Sequence, residues 1–276
     1  MSIVDMTRMP GMSRRTASNS ILIGAAALLF AASAAATVRR YAYMAAMSGT
    51  PMAGRWMLSA IWTPMCGQTW WQAAASFASM WAVMMPAMML PVLVPMVLRE
   101  RGTWSRLPPT QSGLLMILIG AGYFMFWMLA GCAVFPLGSA LAAGAIRVPA
   151  LARAAPASAG ALLVLASLFQ FTSWKAQQLA CCRTMRRCGD APMRSHAPAS
   201  ASAALRHGLR LGVQCGLCCG NWMAVLLVVG VMDPRAMAAI TAVIAAERIA
   251  PCHVQVARII GVAGIIAGLA TMAQGL

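Results

Sequence analysis

Residues 212–223 read GVQCGLCCGNWM, and Cys215, Cys218 and Cys219 fall in what looks like the opening of a membrane helix. Their spacing, i, i+3, i+4, puts them on one face of a helix. Thiolates are soft donors that select copper(I), zinc or iron–sulfur centres. Three facing a bundle interior can hold a cuprous ion alone, or zinc with a fourth ligand. Gly212, Gly216 and Gly220 recur at four-residue intervals in the same stretch. Small residues so spaced let membrane helices approach closely. The residues therefore support a ligand reading and a packing reading side by side.

A second sulfur-rich segment, SMWAVMMPAMMLPVLVPM (79–96), carries Met80, Met84, Met85, Met88 and Met89 as a stripe. Thioethers bind cuprous ion and discriminate against hard cations, although methionine also fills gaps in apolar packing. Pro86, Pro91 and Pro95 interrupt backbone hydrogen bonding in this segment. A third segment, LFQFTSWKAQQLACCRTMRRCGD (168–190), sets Gln170, Thr172, Ser173 and Lys175 at the end of an apolar run. Cys181, Cys182 and Cys188 follow among arginines, which favour the thiolate form. A fourth, AAERIAPCHVQVAR (245–258), places Glu247 and Arg248 near Cys252 and His253. Glu247 is one of only five acids in the chain. It reads as a structural ion-pair partner for Arg248, Arg258 or Lys175.

The elements that must position these groups are membrane helices. Of 276 residues, 61% are hydrophobic and 9% charged, against about a quarter charged in a soluble domain. Seven apolar runs are candidate spans: 20–38, 73–98, 113–138, 157–174, 210–232, 235–250 and 254–274. The sixth is short against the ~20 residues a crossing helix needs, so the count is six to seven. The first follows Arg14 and Arg15 like a cleavable signal, but with so many later spans it reads as a retained helix. The expected fold is a single all-α polytopic transmembrane bundle covering residues 1–276, with 175–209 a cytoplasmic Cys- and Arg-rich link.

The formal charge of +16 does not indicate nucleic acid, because the arginines lie in short links rather than on an aromatic-interleaved face. They report topology. With the N-terminus in the cytoplasm, fifteen basic residues fall inside and six outside, together the 21 of the chain. Seven of the nine cysteines then converge on the inner face, where a reducing compartment disfavours disulfides. A Walker loop, a dinucleotide-binding GxGxxG and a zinc-protease HExxH are all absent from the sequence. The scarcity of His and Asp argues against serine-hydrolase chemistry.

Several blocks together resemble a bacterial integral-membrane family of unknown function described as predicted metal-binding. Its Met-rich W-x-x-M-x-x-A-M-M-x-P block reads WAVMMPAMMLP from Trp81 to Pro91. Its Q-L-T-P-L-K-x-x-C-L-x-x-C-R block reads QFTSWKAQQLACCR from Gln170 to Arg183. Its C-x-G-C-C-W-x-L-M block and G-x-M turn read CGLCCGNWM and GVM, and its acidic E-K pair falls on Glu247–Arg248. The family's first cysteine after the lysine falls on Gln178, with Cys181 one helical turn on. Leu217 stands for the glycine before the cysteine pair, and Ser173 for the family's proline. Cys182, Cys215, Cys218 and Cys219 match the family's cysteines, and the resemblance implies that they bind metal.

The expectation is a multi-pass protein of the bacterial inner membrane that transports, stores or delivers a soft metal and is not itself an enzyme. The metal is copper(I), with zinc the alternative. Cys182, Cys215, Cys218 and Cys219 form the core, with Cys181, Cys188, Cys252 and His253 as further ligands. Met84, Met85, Met88 and Met89 carry ions to or from it. Its partners are the lipid bilayer, the metal ion and a metallochaperone or membrane metalloenzyme. The rival readings are a thiol–disulfide oxidoreductase using Cys181–Cys182, Cys218–Cys219 or Cys215–Cys218, and a structural subunit whose cysteines only pack.

Overall fold

The computed structural model describes residues 10–46, 50–52, 56–58, 62, 64, 67–104, 107–184, 198, 200–230 and 233–275. Within these the chain is a bundle of α-helices: α1 (Pro10–Ala46), α2 (Trp70–Thr103), α3 (Pro109–Arg147), α4 (Pro149–Leu168), α5 (Ser173–Thr184), α6 (Ala201–Val229), α7 (Pro234–Ile249) and α8 (His253–Gly275). Between α1 and α2, β1 (Thr50–Met52) and β2 (Trp56–Leu58) form a small antiparallel hairpin, Thr50 opposite Leu58. Six stretches are long and apolar enough to cross a membrane: Asn19–Tyr43, Trp70–Gly102, Thr110–Arg147, Pro149–Phe171, Ala201–Val229 and His253–Ala273. The all-α polytopic architecture expected from composition is the one observed.

The helix starts follow local chemistry. Thr69 opens α2 with a reciprocal cap, its N–H donating to Gln72 Oε1 at 2.9 Å while its hydroxyl accepts from Gln72 N at 3.4 Å. Ser200 caps α6 and Asp233 caps α7 in the same one-sided way, through Ala203 N and Arg235 N. Pro109, Pro149 and Pro234 each occupy a first helical position, where the missing N–H has no intrahelical role. Gly230 ends α6 at φ 144°, a conformation that side-chain-bearing residues rarely adopt, and so allows the reversal into α7.

The sixth candidate is as short as the sequence reading had it, and the long link differs from that reading. The 235–250 candidate is a helix, α7, but its 16 residues span only about 24 Å, short of the ~30 Å hydrocarbon core. The 175–209 link is also shorter than expected. Its first ten residues belong to α5, which packs into the bundle, and α6 begins at Ala201. Residues 185–197, including Cys188 and His196, lie outside the described residues, as does Cys66.

Glycine sets the helix approaches nearest the cysteines. A methyl group on Gly208 would collide with the Ile119 carbonyl, and one on Gly212 or Gly216 would strike the Phe126 side chain, so α6 lies directly on α3. Gly220 has open space around it. The packing reading of this glycine series therefore holds for two of the three positions, with Gly208 as an unanticipated third contact. On α8, Gly261, Gly264 and Gly268 meet Phe171, Ser167 and Val164 in turn, which makes α8 antiparallel to α4. At the far end of α2, Arg101 donates to Ser112 Oγ of α3 at 3.2 Å and to Asn19 Oδ1 of α1 at 2.6 Å, tying three helices together.

Candidate metal centre

α2 runs unbroken through Pro86, Pro91 and Pro95. Its sulfur-rich middle is the core of the bundle: Met84, Met85, Met88 and Met89 are all at most 1% exposed. They share one buried cluster with Met80, Trp81, Tyr123, Trp127, Trp222, Met223, Met237 and, from α6, Cys215 and Cys219. Methionine sulfurs and two thiols therefore line the same interior.

The three α6 cysteines are all 1% exposed, but they do not form one triad. Cys215 and Cys219 are one turn apart, with sulfurs 3.4 Å from each other. The Cys219 thiol donates to the Cys215 carbonyl at 2.7 Å, and Tyr123 of α3 donates its hydroxyl to Cys215 Sγ at 3.0 Å. Cys218 lies about 100° round the helix from its neighbour and belongs to a second cluster with Leu179 and Cys182 of α5 and Ala257 of α8. Cys182 also approaches α6 directly, its thiol 3.3 Å from the Gln214 carbonyl. Its proton is held well above the ordinary thiol range, first by hydrogen bonding with Cys218 and then by burial. Inter-helix packing has thus sorted four free thiols into two pairs, Cys215 with Cys219 and Cys182 with Cys218. Among the described residues, no three Cys, His, Asp or Glu side chains are placed to hold one ion.

A buried polar layer sits beside the thiols. α4 stops at Leu168, a single 3-10 turn follows at Phe169–Phe171, and Thr172 is extended before α5 begins. At this break Gln170 Nε2 donates to Glu247 Oε1 at 2.9 Å, and Trp222 Nε1 donates to the same oxygen at 2.8 Å. Lys175 Nζ stands 3.0 Å from Glu247 Oε2, both side chains being at most 2% exposed. The same ammonium donates to the Cys218 carbonyl at 2.5 Å and to Asn221 Oδ1 at 3.4 Å. Asn221 Nδ2 in turn donates to the Ala166 carbonyl at 3.2 Å. A buried charge is tolerated only when it is paired and hydrogen-bonded, and this layer meets that condition for Lys175 and Glu247. Of the partners the sequence offered to Glu247, Lys175 is the one found.

Arg248 is the exception to that rule. It is 6% exposed; its Nη1 donates to Met96 Sδ at 3.4 Å, and its side chain also hydrogen-bonds Cys215. Among the described residues its Nε and Nη2 have no hydrogen-bond partner. Cys215, Cys182, Cys218 and Cys219 all lie near enough to act electrostatically on its charge.

The remaining expected ligands stand apart. Cys181 is held in a disulfide whose partner lies outside the described residues, contrary to the expectation of free thiols throughout. Cys252 is free but exposed at the α7–α8 turn, and His253 Nδ1 is 3.5 Å from the Pro251 carbonyl there. Of the pairs offered by the redox reading, Cys218 and Cys219 turn to different partners, and Cys215 lies against Cys219 rather than Cys218. Tyr123 and the orphaned guanidinium were not foreseen. Tyr123 is one hydroxyl in the apolar run AGYFMFWML, with no local pattern to mark it. Arg248 was visible only as a companion to Glu247.

A family model described as PpoB2, copper chaperone, matches residues 78–271. The match takes in the methionine block of α2, the Gln170–Arg183 block, the α6 cysteines and Glu247–Arg248. No curated protein and no solved structure matches the chain.

Proposed function

Because the chain belongs to the PpoB2 copper-chaperone family, we propose that it is a multi-pass membrane copper chaperone whose cargo is the cuprous ion. Two of the four thiols Cys182, Cys215, Cys218 and Cys219 hold the ion at any time. Met84, Met85, Met88 and Met89 form the soft-donor surface along which it reaches or leaves them. The observation that carries this reading is the pairing of four free, buried thiols against a methionine core. Structural zinc is almost always four-coordinate, and the described groups offer no such set. Pairs of soft sulfurs suit copper(I).

Each thiol that ligates gives up its proton. Neighbouring pairs let an ion move by exchanging one thiolate for the next without meeting water. The excess of arginine on one set of links supports a cytoplasmic N-terminus, in a protein of the bacterial inner membrane on this reading. Copper would pass to or from a metallochaperone or a membrane metalloenzyme.

Copper K-edge X-ray absorption on the detergent-solubilised, copper-loaded protein tests the donor set. Two sulfur neighbours, with no nitrogen or oxygen neighbour, are expected. A shell dominated by nitrogen or oxygen contradicts the proposal.

A further inference from the structure

The thiols are not the only groups here without a settled partner. Among the described residues the buried charges are Glu100, Arg101, Lys175, Glu247 and Arg248. Lys175 and Glu247 cancel each other. Glu100 pairs with His207 at 2.9 Å, and Arg101 bonds to Ser112 and Asn19 at the end of the bundle. Among the described residues Arg248 has no carboxylate partner; it bonds to the sulfurs of Met96 and Cys215, and its Nε and Nη2 have no acceptor. Leaving such a donor set unpaired in a dry interior is costly. It persists beside Cys215, to which it hydrogen-bonds, and within electrostatic reach of Cys182, Cys218 and Cys219.

We propose that Arg248 is the fixed counter-charge of the copper centre, and that it suits the site to one monovalent ion held by two thiolates at a time. The proposal rests on the copper reading above. Two thiolates carry two negative charges and a cuprous ion one positive, so the bound centre is a net monoanion. One guanidinium neutralises one such centre. A divalent ion on the same two thiolates is already neutral and gains nothing from Arg248. Arg248 is thus a positioning and selectivity residue rather than a ligand, and it stands by both pairs: a single ion can exchange between Cys215–Cys219 and Cys182–Cys218 without leaving its counter-charge.

The test compares copper(I) with mercury(II), which also binds two thiolates linearly but forms a neutral centre. The full-length protein in detergent, kept reduced, is titrated with each ion against a competing chelator: bicinchoninate for copper(I), a soluble dithiol for mercury(II). Arg248→Met is expected to weaken copper(I) about tenfold or more and to leave mercury(II) unchanged or tighter. Arg248→Lys is expected to restore most of the copper(I) affinity. Arg248→Gln, also neutral, repeats the comparison if the methionine variant does not fold. Equal losses for both ions, or unchanged copper(I) affinity in both neutral variants, overturn the counter-charge. Wild-type protein that takes mercury(II) but not copper(I) overturns the copper reading and the counter-charge with it.

Discussion

Lys175 Nζ lies 3.0 Å from Glu247 Oε2 and 2.5 Å from the carbonyl of Cys218, so one buried ammonium joins the acid of α7 to the cysteine turn of α6. The pair holds the thiol-bearing helix against the break between α4 and α5. Removing one partner strands the other charge, which costs about 3–5 kcal/mol at a buried site. Glu247→Gln is therefore expected to lower the thermal midpoint of the solubilised protein sharply. The double change Lys175→Met, Glu247→Leu should recover part of that loss, since it strands no charge, while the Gln170 and Trp222 donors still lose their acceptor. A single variant as stable as wild type would remove the pair from this role.

The two thiol pairs should respond separately to substitution. Cys215→Ser with Cys219→Ser leaves the Cys182–Cys218 pair, and Cys182→Ser with Cys218→Ser leaves the other. Each double variant is expected to retain about one copper(I) per chain with weakened affinity. Complete loss in both variants would mean that the ion needs ligands from both pairs at once.

Tyr123→Phe removes the hydroxyl that donates to Cys215 Sγ at 3.0 Å and nothing else of the ring. A hydrogen bond to a charged acceptor contributes about 1.5–3 kcal/mol. If the bound sulfur is a thiolate, copper(I) affinity should fall roughly tenfold or more, with little change in thermal midpoint. Equal affinity would show that Cys215 binds copper without this support.

Acid should release the ion. The Cys182 proton is held above the ordinary thiol range by Cys218 and by burial. Such a raised value stabilises the metal-free fold fully below the ordinary thiol pKa, and that contribution is lost only as pH rises through the raised value. Copper must displace the same proton. Affinity is thus expected to rise with pH, by about tenfold per unit for each proton expelled. Cys182→Ser should flatten the slope. A wild-type profile that is already flat between about pH 6 and 8 would exclude thiolate ligation.

Glycine packing can be separated from metal chemistry. Gly208→Ala forces a methyl group into the Ile119 carbonyl, whereas Gly220→Ala meets open space. The first should destabilise by about 1–3 kcal/mol and the second by almost nothing. Neither should abolish copper binding where the protein folds.

The helices were legible in sequence because apolar runs and basic links carry a strong, local signal. Cys215, Cys218 and Cys219 were legible as candidates for the same reason: thiols in a membrane helix are conspicuous. Their pairing was not. Spacing put Cys218 with its two neighbours, and only the approach of α5, with Cys182, and of α3, with Tyr123, separates them. The same limit hid Arg248, whose meaning comes from the acceptors it lacks rather than from any residue beside it in the chain. The end of α4 was blurred for a different reason. Phe169, Phe171 and Trp174 alternate with the polar Gln170, Thr172 and Ser173, so the apolar run reads on to 174 while the helix itself stops at Leu168.

Copper content tests the central claim most directly. Wild-type protein and the quadruple Cys182, Cys215, Cys218, Cys219 to Ser variant would be purified in detergent after growth with copper and zinc. Both would be measured by inductively coupled plasma mass spectrometry. The account predicts near-stoichiometric copper in the wild type, little zinc, and no copper in the variant. Equal copper in both, or none in a folded and reduced wild type, would contradict it and return the four cysteines to packing.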